Sequence, residues 1–149
     1  MKIIQNIIAV ALLVSAAYFG TGGVNIIKLI DFSSLLFIIV VTLSTLTLFK
    51  QGKDYFNGYR LLFGNKKLTL EELKCSENAF NLTIKLIYLT SAVSIILNFI
   101  ILSTRLDDPS AVGPSIYSSV LTILCAALIN IVNYLIKAIV IKEKISKEK

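Results

Sequence analysis

Four long runs without a Lys, Arg, Asp or Glu residue dominate this sequence: 3–27, 32–49, 86–104 and 109–136. About 17 to 25 helical residues cross the roughly 30 Å hydrocarbon core of a bilayer, so each run is long enough to span it. Inside a bilayer only helices or closed barrels satisfy the backbone, and these runs lack the apolar-polar alternation of barrel strands. The sequence therefore predicts an all-α, polytopic membrane protein with four transmembrane helices.

The predicted spans cover residues 3–20, 32–50, 80–103 and 115–141, within a single membrane domain made of residues 1–149. A short connection, 51–79, joins the second span to the third. The last two runs exceed what a bilayer needs, so tilt or helical continuation beyond the membrane is expected. For the first span a cleaved signal peptide is the alternative, because "SAAYFG", residues 15–20, follows the apolar run 3–14, but the long charge-free stretch favours a span.

The basic residues are distributed unevenly among the connections. Of fifteen Lys and Arg residues, all but Lys28 and Arg105 lie at the two chain ends or between positions 50 and 85. The positive-inside rule then places both termini and the 51–79 connection on the cytoplasmic side. We therefore expect a multi-pass protein of the cell (inner) membrane. The net charge of +6 follows from this asymmetry, which leaves little support for a nucleic-acid partner.

Residues that carry chemistry are scarce in this chain. It has no histidine, and its two cysteines, Cys75 and Cys125, have no metal-ligand spacing. No glycine-rich phosphate loop, no serine-base constellation and no pair of membrane-embedded carboxylates is present. We expect neither enzymatic activity nor a cofactor or metal ion.

Uncharged polar residues follow a helical register in the last three predicted spans. The fourth span carries a stripe of small and polar residues at intervals of three and four: Ser115, Ser119, Thr122, Ala126, Asn130, Asn133 and Lys137. The third span carries a row at intervals of four: Thr90, Ser94 and Asn98, with Ser91 alongside. These rows are expected to face each other or a shared space and not lipid.

Two interpretations of the rows remain open. Ser, Thr and Asn are common at helix interfaces in membranes, where a hydrogen bond across helices contributes about 0.6 to 2 kcal/mol. Alternatively, the third and fourth helices line an ion path or a socket for partner helices. Hydroxyls of the second span at Thr42, Ser44, Thr45 and Thr47 either back the same surface or bond carbonyls of their own helix.

The connection "LDDPSAVGP", residues 106–114, predicts a rigid hairpin at the outer face. Pro109 disfavours helical geometry at Asp108, and Pro114 is preset for the first turn of the fourth helix, with Gly113 supplying a permissive backbone before it. Asp107 and Asp108 are expected either to cap helix ends in a hydrated turn or, in an oligomer, to concentrate cations at an outer mouth.

The cytoplasmic connection predicts two structural features. Aromatic and apolar residues at helical intervals, Tyr55, Phe56, Tyr59, Leu62 and Phe63, predict a short amphipathic helix on anionic lipid or against a neighbouring subunit. Thr69 and Glu72 have capping-box spacing at the start of an extended third helix. The candidate cytoplasmic contact residues are Arg60, Lys66, Lys67, Glu71 and Glu72.

Several of these residues resemble the MotA/TolQ/ExbB proton-channel family, especially its flagellar stator branch, MotA. The pattern L-D-D-P-x-x-x-G-P is present as Leu106, Asp107, Asp108, Pro109, Gly113 and Pro114, and a small-residue helix containing Thr122 follows it. The segment "IDFSSLLFIIV", residues 30–40, is similar to the start of the family's second span. Four spans with both termini inside also match MotA, whereas TolQ and ExbB normally have three.

The resemblance implies a stator-like subunit of an ion-driven membrane motor, with the proton as the expected ion. Its copies would form a pentamer around a single-span partner subunit like MotB, TolR or ExbD, whose membrane aspartate carries the ion. The resemblance and the helical register together give the candidate residues that face the ion path or the partner: Thr90, Ser94, Asn98, Ser119, Thr122, Ala126 and Asn130. No acid of this chain lies mid-membrane, so a partner would have to supply the carrier.

The chain also departs from the family at several places. Its 51–79 connection is much shorter than the region with which stator subunits contact a rotor. Two threonines associated with the family's ion path are replaced by Ile95 and Ile123, and a glycine by Asn98. These departures keep a non-conducting membrane scaffold as an alternative, and a small ion transporter as a third, although that class requires a broken helix or an embedded charge.

Overall fold

The computed structural model describes residues 32–62 and 68–148, and all the regular structure in these two stretches is helical. The helices are α1 (Phe32–Leu48), α2 (Gly52–Leu62), α3 (Leu70–Ser103) and α4 (Pro109–Glu148). α3 and α4 form an antiparallel hairpin, and α1 packs against both. We call the end with the α3–α4 turn the hairpin end, and the opposite end, which holds α2, the basic end.

The all-α prediction is confirmed for the described residues, and the membrane-spanning character is supported in part. α3 and the stretch Val112–Glu148 of α4 are long and apolar enough to cross a bilayer. α1 and α2 pass the same test only as a bent pair, which would make a third span. The first predicted span, 3–20, lies outside the described residues.

Large apolar side chains cover the outside of the bundle. Exposed ones occur along α1 at Leu36 and Val40, along α3 at Leu89 and Ile96, and along α4 at Val120. A contiguous apolar surface of this extent is unfavourable in water and is typical of helices in contact with lipid or with other membrane helices.

The chain turns sharply between α1 and α2 because α1 ends in a Schellman motif. Lys50 has a φ of 56°, and its N–H donates to Thr47 O at 3.0 Å while Gln51 N donates to Leu46 O at 2.9 Å. These two bonds satisfy carbonyls that the helix end leaves without partners. The result is a bend of 113° between the axes of α1 and α2.

α3 begins well before the predicted third span, at the capping box expected from the sequence. The Thr69 hydroxyl accepts from Glu72 N at 3.2 Å, and the Glu72 carboxylate accepts from Thr69 N at 2.9 Å. The predicted 51–79 connection therefore contains α2 and the first turns of α3. Leu73 and Phe80 of α3 pack with Ile136 of α4 in a fully buried core at the basic end.

The predicted start of the fourth helix is wrong, because α4 begins at Pro109 and Pro114 lies inside it. Asp108 caps the helix: its Oδ1 accepts from Ser110 N at 3.0 Å and from Ser110 Oγ at 2.6 Å. Pro109 thus takes the first helical position, where a missing N–H costs little. Gly113 is helical with no positive φ, so the permissive backbone predicted for it is not used.

Candidate functional site: a buried polar seam

The stripe predicted on α4 points into the bundle. Ser119, Thr122, Ala126, Asn130 and Asn133 are all buried, and Thr122 and Asn133 have an exposure of 0%. Ser115 and Lys137, at the two ends of the stripe, are half-buried. An uncharged polar line thus runs along the inner face of α4 through most of the bundle.

The row predicted on α3 faces the same interior. Thr90, Ser91 and Ser94 are buried, and Asn98, nearer the hairpin end, is half-buried. We call the inward-facing polar side chains of three helices the polar seam: Ser34 and Thr42 of α1, Thr90, Ser91, Ser94 and Asn98 of α3, and Ser119, Thr122, Asn130 and Asn133 of α4.

A hydrogen bond between α1 and α4 joins the seam near the hairpin end. Ser34 Oγ lies 2.7 Å from Thr122 Oγ1, and the Thr122 hydroxyl donates to Ser118 O at 2.9 Å. Thr122 is therefore hydrogen-bonded both to α1 and to the preceding turn of its own helix. Sequence reasoning gave Ser34 no role, although the four-residue spacing of Ser34, Ile38 and Thr42 marks one face of α1.

The hydroxyls predicted on the second span have two roles: some bond carbonyls of their own helix, and one faces the shared interior. Thr45 donates to Val41 O and Thr47 donates to Leu43 O, each at 2.8 Å, which is the bonding to their own helix that Thr commonly makes. Ser44 is exposed. Of these threonines and Ser44, only Thr42 is buried in the seam, where it joins Ser34 of the same helix.

An apolar layer interrupts the seam one helical turn from the Ser34–Thr122 bond. Ile38 of α1, Ile87 of α3 and Ala126 of α4 form a buried cluster, against which Ile129 packs. One further turn toward the basic end, the buried side chains are polar again, at Thr42 and Asn130. Inside one copy, the seam is therefore two polar regions separated by a layer without hydrogen-bonding side chains.

At the basic end the seam joins α2 through two tyrosines. Tyr55 donates to Asn133 Oδ1 at 2.8 Å, and the Tyr59 hydroxyl lies 2.9 Å from the Tyr55 hydroxyl. Both rings also pack on Phe80, with centroid distances of 4.9 and 5.9 Å. Burial raises the pKa of the Tyr55 phenol above its ordinary value, so the hydroxyl remains a donor at any physiological pH.

This packing corrects the predicted use of the amphipathic helix. Tyr55 and Tyr59 were expected to face lipid or a neighbouring subunit, but they contact α3 and α4 of the same chain. The interior of the bundle offers them both an apolar ring, Phe80, and a polar acceptor, Asn133. Phe56 keeps an outward position, with 54% of its surface exposed.

Some buried polar atoms of the seam have no hydrogen-bond partner among the residues that the structure describes. They are Thr42 Oγ1, Asn98 Nδ2, Asn130 Oδ1 and Asn133 Nδ2. The other amide atom of Asn130 makes a long bond, with Nδ2 donating to Ile84 O at 3.4 Å. Thr42 and Asn130 lie at the same level of the bundle, since each is eight residues beyond the Ser34–Thr122 pair. Ordered water is the usual partner of such groups.

A cavity of about 310 Å³ lies at the hairpin end of the seam. Its polar lining consists of Ser33, Ser34, Ser94, Asn98 and Ser118. The predicted outer-mouth acids lie beyond it: Asp107 and Asp108 are exposed, and the Ser110 hydroxyl and N–H lower the pKa of Asp108. Asp108 thus takes the capping role, and its carboxylate is outside the cavity lining.

Three of the five candidate cytoplasmic contact residues lie in the described part of the chain. Arg60 is exposed on α2, Glu71 is exposed at the start of α3, and Glu72 serves the capping box. Lys66 and Lys67 lie outside the described residues. No local pattern predicts the cross-helix contacts at this end, where Lys144 Nζ forms an ion pair with Glu77 Oε2 at 2.9 Å and Lys147 Nζ donates to Leu68 O.

Of the two isoleucines that the resemblance aligns with threonines, Ile123 points away from the seam. Ile123 of α4 has an exposure of 54%, whereas its neighbour Thr122 has none. Ile95 of α3 is half-buried. The outward face of α4 that a neighbouring helix would meet at this level is therefore apolar.

No protein-family model, no curated protein and no solved structure matches this chain.

Proposed function

We propose that this chain is a stator-like membrane scaffold that does not conduct ions: several copies surround helices of a partner protein through their apolar outer faces. In this proposal the chain is a multi-pass protein of the inner membrane, with four spans and both termini in the cytoplasm. The resemblance to the MotA branch at residues 106–114 supports the stator-like assembly, and the geometry of the seam supports the absence of conduction.

The observation that carries the proposal is the complete burial of Thr122 within its own chain. Its hydroxyl is engaged by Ser34 and Ser118, so it has no remaining proton to offer an ion or a partner. The neighbouring outward residue is Ile123. Polar groups therefore hold the three helices of one copy together, and apolar groups are left for contact between copies and with a partner.

A path along the interior of one copy meets the apolar layer of Ile38, Ile87 and Ala126. An ion or a hydronium that crosses such a layer would lose all its polar partners, which is costly in a medium of low dielectric constant. The described spans also carry no mid-membrane acid that would relay a proton. These features support a structural use of the seam.

The second candidate is the conducting version, a stator-like subunit of a proton-driven motor whose partner brings the aspartate. The polar cavity at the hairpin end favours it, because Ser94 and Asn98 line a space open to a partner's side chain. In that case the ion passes between the chain and the partner, and not through the seam.

The mass of the detergent-solubilised particle tests the assembly common to both versions. A chain of 16.4 kDa is expected to give a particle containing several copies, measured by light scattering with the detergent contribution subtracted or by native mass spectrometry. A monomer would contradict both candidates.

Ion flux into vesicles separates the two candidates. Membrane vesicles from cells that make the chain with its natural partners are loaded with a pH-sensitive dye and given a proton gradient. The scaffold predicts that Thr122→Val changes stability but leaves the flux at the level of vesicles without the chain. Flux that requires the chain and falls in Thr122→Val favours the motor. Flux through vesicles holding the purified chain alone would contradict both.

A further inference from the structure

We propose that the outward face of α2 binds the headgroups of anionic phospholipids. This face consists of Lys53, Phe56 and Arg60, which recur at intervals of three and four on one side of the helix. All three side chains are exposed. The site does not depend on the proposed scaffold role, because it requires only that the bundle lies in a bilayer.

The bend at Lys50 directs α2 along the membrane surface. α1 is an apolar helix of 17 residues without an ionisable side chain, and α2 leaves it at 113°. If α1 crosses the bilayer near its normal, α2 runs close to the membrane plane and is tipped back toward the lipid. This is the orientation of an interfacial helix.

Contacts with α3 and α4 fix the level of α2 relative to the bilayer. Its inner face packs on Phe80 and Asn133, and Ser76 Oγ donates to Asp54 O at 2.8 Å. From Phe80 to the end of α3 at Ser103 is about 36 Å at 1.5 Å per residue, close to the hydrocarbon thickness plus part of the headgroup layer. α2 thus lies at the level where the apolar helices leave the bilayer.

The chemistry of the outward face matches an anionic lipid at that level. Phe56 provides an apolar ring for the acyl boundary, and Lys53 and Arg60 flank it with the charges that pair with phosphate. The acid next to them, Asp54, is only half-buried and reduces the net charge. Two acids of α3 are poorly placed to let a second copy pair with this face, because Glu77 is paired with Lys144 and Glu71 lies about 13 Å further from the bilayer along α3.

The chain has no tryptophan, so Phe56→Trp creates a single fluorescent reporter within the site. The variant is reconstituted into vesicles of phosphatidylcholine and phosphatidylglycerol, in which either lipid carries brominated chains at the same mole fraction. Brominated phosphatidylglycerol is expected to quench the tryptophan more strongly than brominated phosphatidylcholine. Lys53→Gln and Arg60→Gln are then added to the reporter variant. Each lost cation is expected to lower the association of phosphatidylglycerol, relative to phosphatidylcholine, about fivefold.

The matched control replaces two other exposed cations, Lys74→Gln and Lys142→Gln, in the same reporter background. They remove the same charge from α3 and α4 away from α2, so the preference for phosphatidylglycerol is expected to persist. Three results would overturn the proposal: equal quenching by the two lipids, loss of the preference in the control variant, or no quenching by either lipid. In the last case, protection of the tryptophan from aqueous iodide would assign the face to a neighbouring protein.

Discussion

At the residue scale, α2 approaches Phe80 of α3 very closely at Gly58. A Cβ atom placed there would lie 2.2 Å from Cε2 of Phe80, whose side chain is completely buried. The ring also contacts Tyr55 and Tyr59, so it has little space to move. Glycine at this position therefore allows the aromatic packing that holds α2 against the bundle.

We expect Gly58→Ala to lower the free energy of unfolding by about 1 to 3 kcal/mol, the usual cost of overpacking a core. The control is Gly113→Ala in α4, where a Cβ would meet nothing within 4 Å and alanine favours the helix by about 0.5 to 1 kcal/mol. Thermal unfolding of the two variants in detergent, followed by circular dichroism, measures the difference. Equal midpoints would show that the contact between α2 and α3 is absent in the folded protein.

At the element scale, the junction between α1 and α2 depends on one residue in an unfavourable backbone conformation. Lys50 adopts the left-handed region that glycine enters without a steric penalty. Two hydrogen bonds of the Schellman motif compensate for this penalty. The direction of α2, and with it the position of the proposed lipid site, follows from this single turn.

Replacing Lys50 by glycine is expected to stabilise the protein by about 1 kcal/mol, because the left-handed conformation costs a residue with a Cβ roughly 1 to 2 kcal/mol and part of this gain is offset by the entropy of glycine. Lys74→Gly is the matched control in the exposed part of α3, where the same substitution costs about 1 kcal/mol. Chemical unfolding midpoints in one detergent compare the two. A destabilised Lys50→Gly variant would contradict the observed helix end.

At the scale of the whole molecule, polar side chains lie inside the bundle and apolar ones cover it. The Ser34–Thr122 bond and the Asn133–tyrosine cluster connect helices far apart in sequence. In lipid there is little hydrophobic driving force between helices, so such bonds and close packing determine which faces meet.

The two natural cysteines report on this arrangement, since Cys75 is exposed and Cys125 is buried. We expect a maleimide to label the folded chain once, at Cys75, and twice after denaturation in sodium dodecyl sulfate. Intact mass measured after labelling counts the adducts, and Cys75→Ser and Cys125→Ser assign them. Rapid labelling of Cys125 in the folded chain would mean that the inner face of α4 is accessible and that the seam is open.

Much of the fold follows from local patterns. The capping box at Thr69 and Glu72 needs only residues three apart, and the α4 stripe needs only a helical period, so both were predictable. The start of α4 was not predictable, because Pro109 and Pro114 are both suited to the first turn of a helix. The hydrogen bonds of Asp108 with Ser110 decide in favour of Pro109.

The sequence by itself determined that this chain is helical, that its spans are apolar, and that its uncharged polar residues share helical faces. Those properties depend on composition and on periods of a few residues. Only the tertiary structure decided that Ser34 bonds Thr122, that Tyr55 and Tyr59 turn inward, and that Ile38, Ile87 and Ala126 close the seam. The reason is physical: a helical period fixes which residues lie on one face, but only the packing of helices distant in sequence fixes what that face meets.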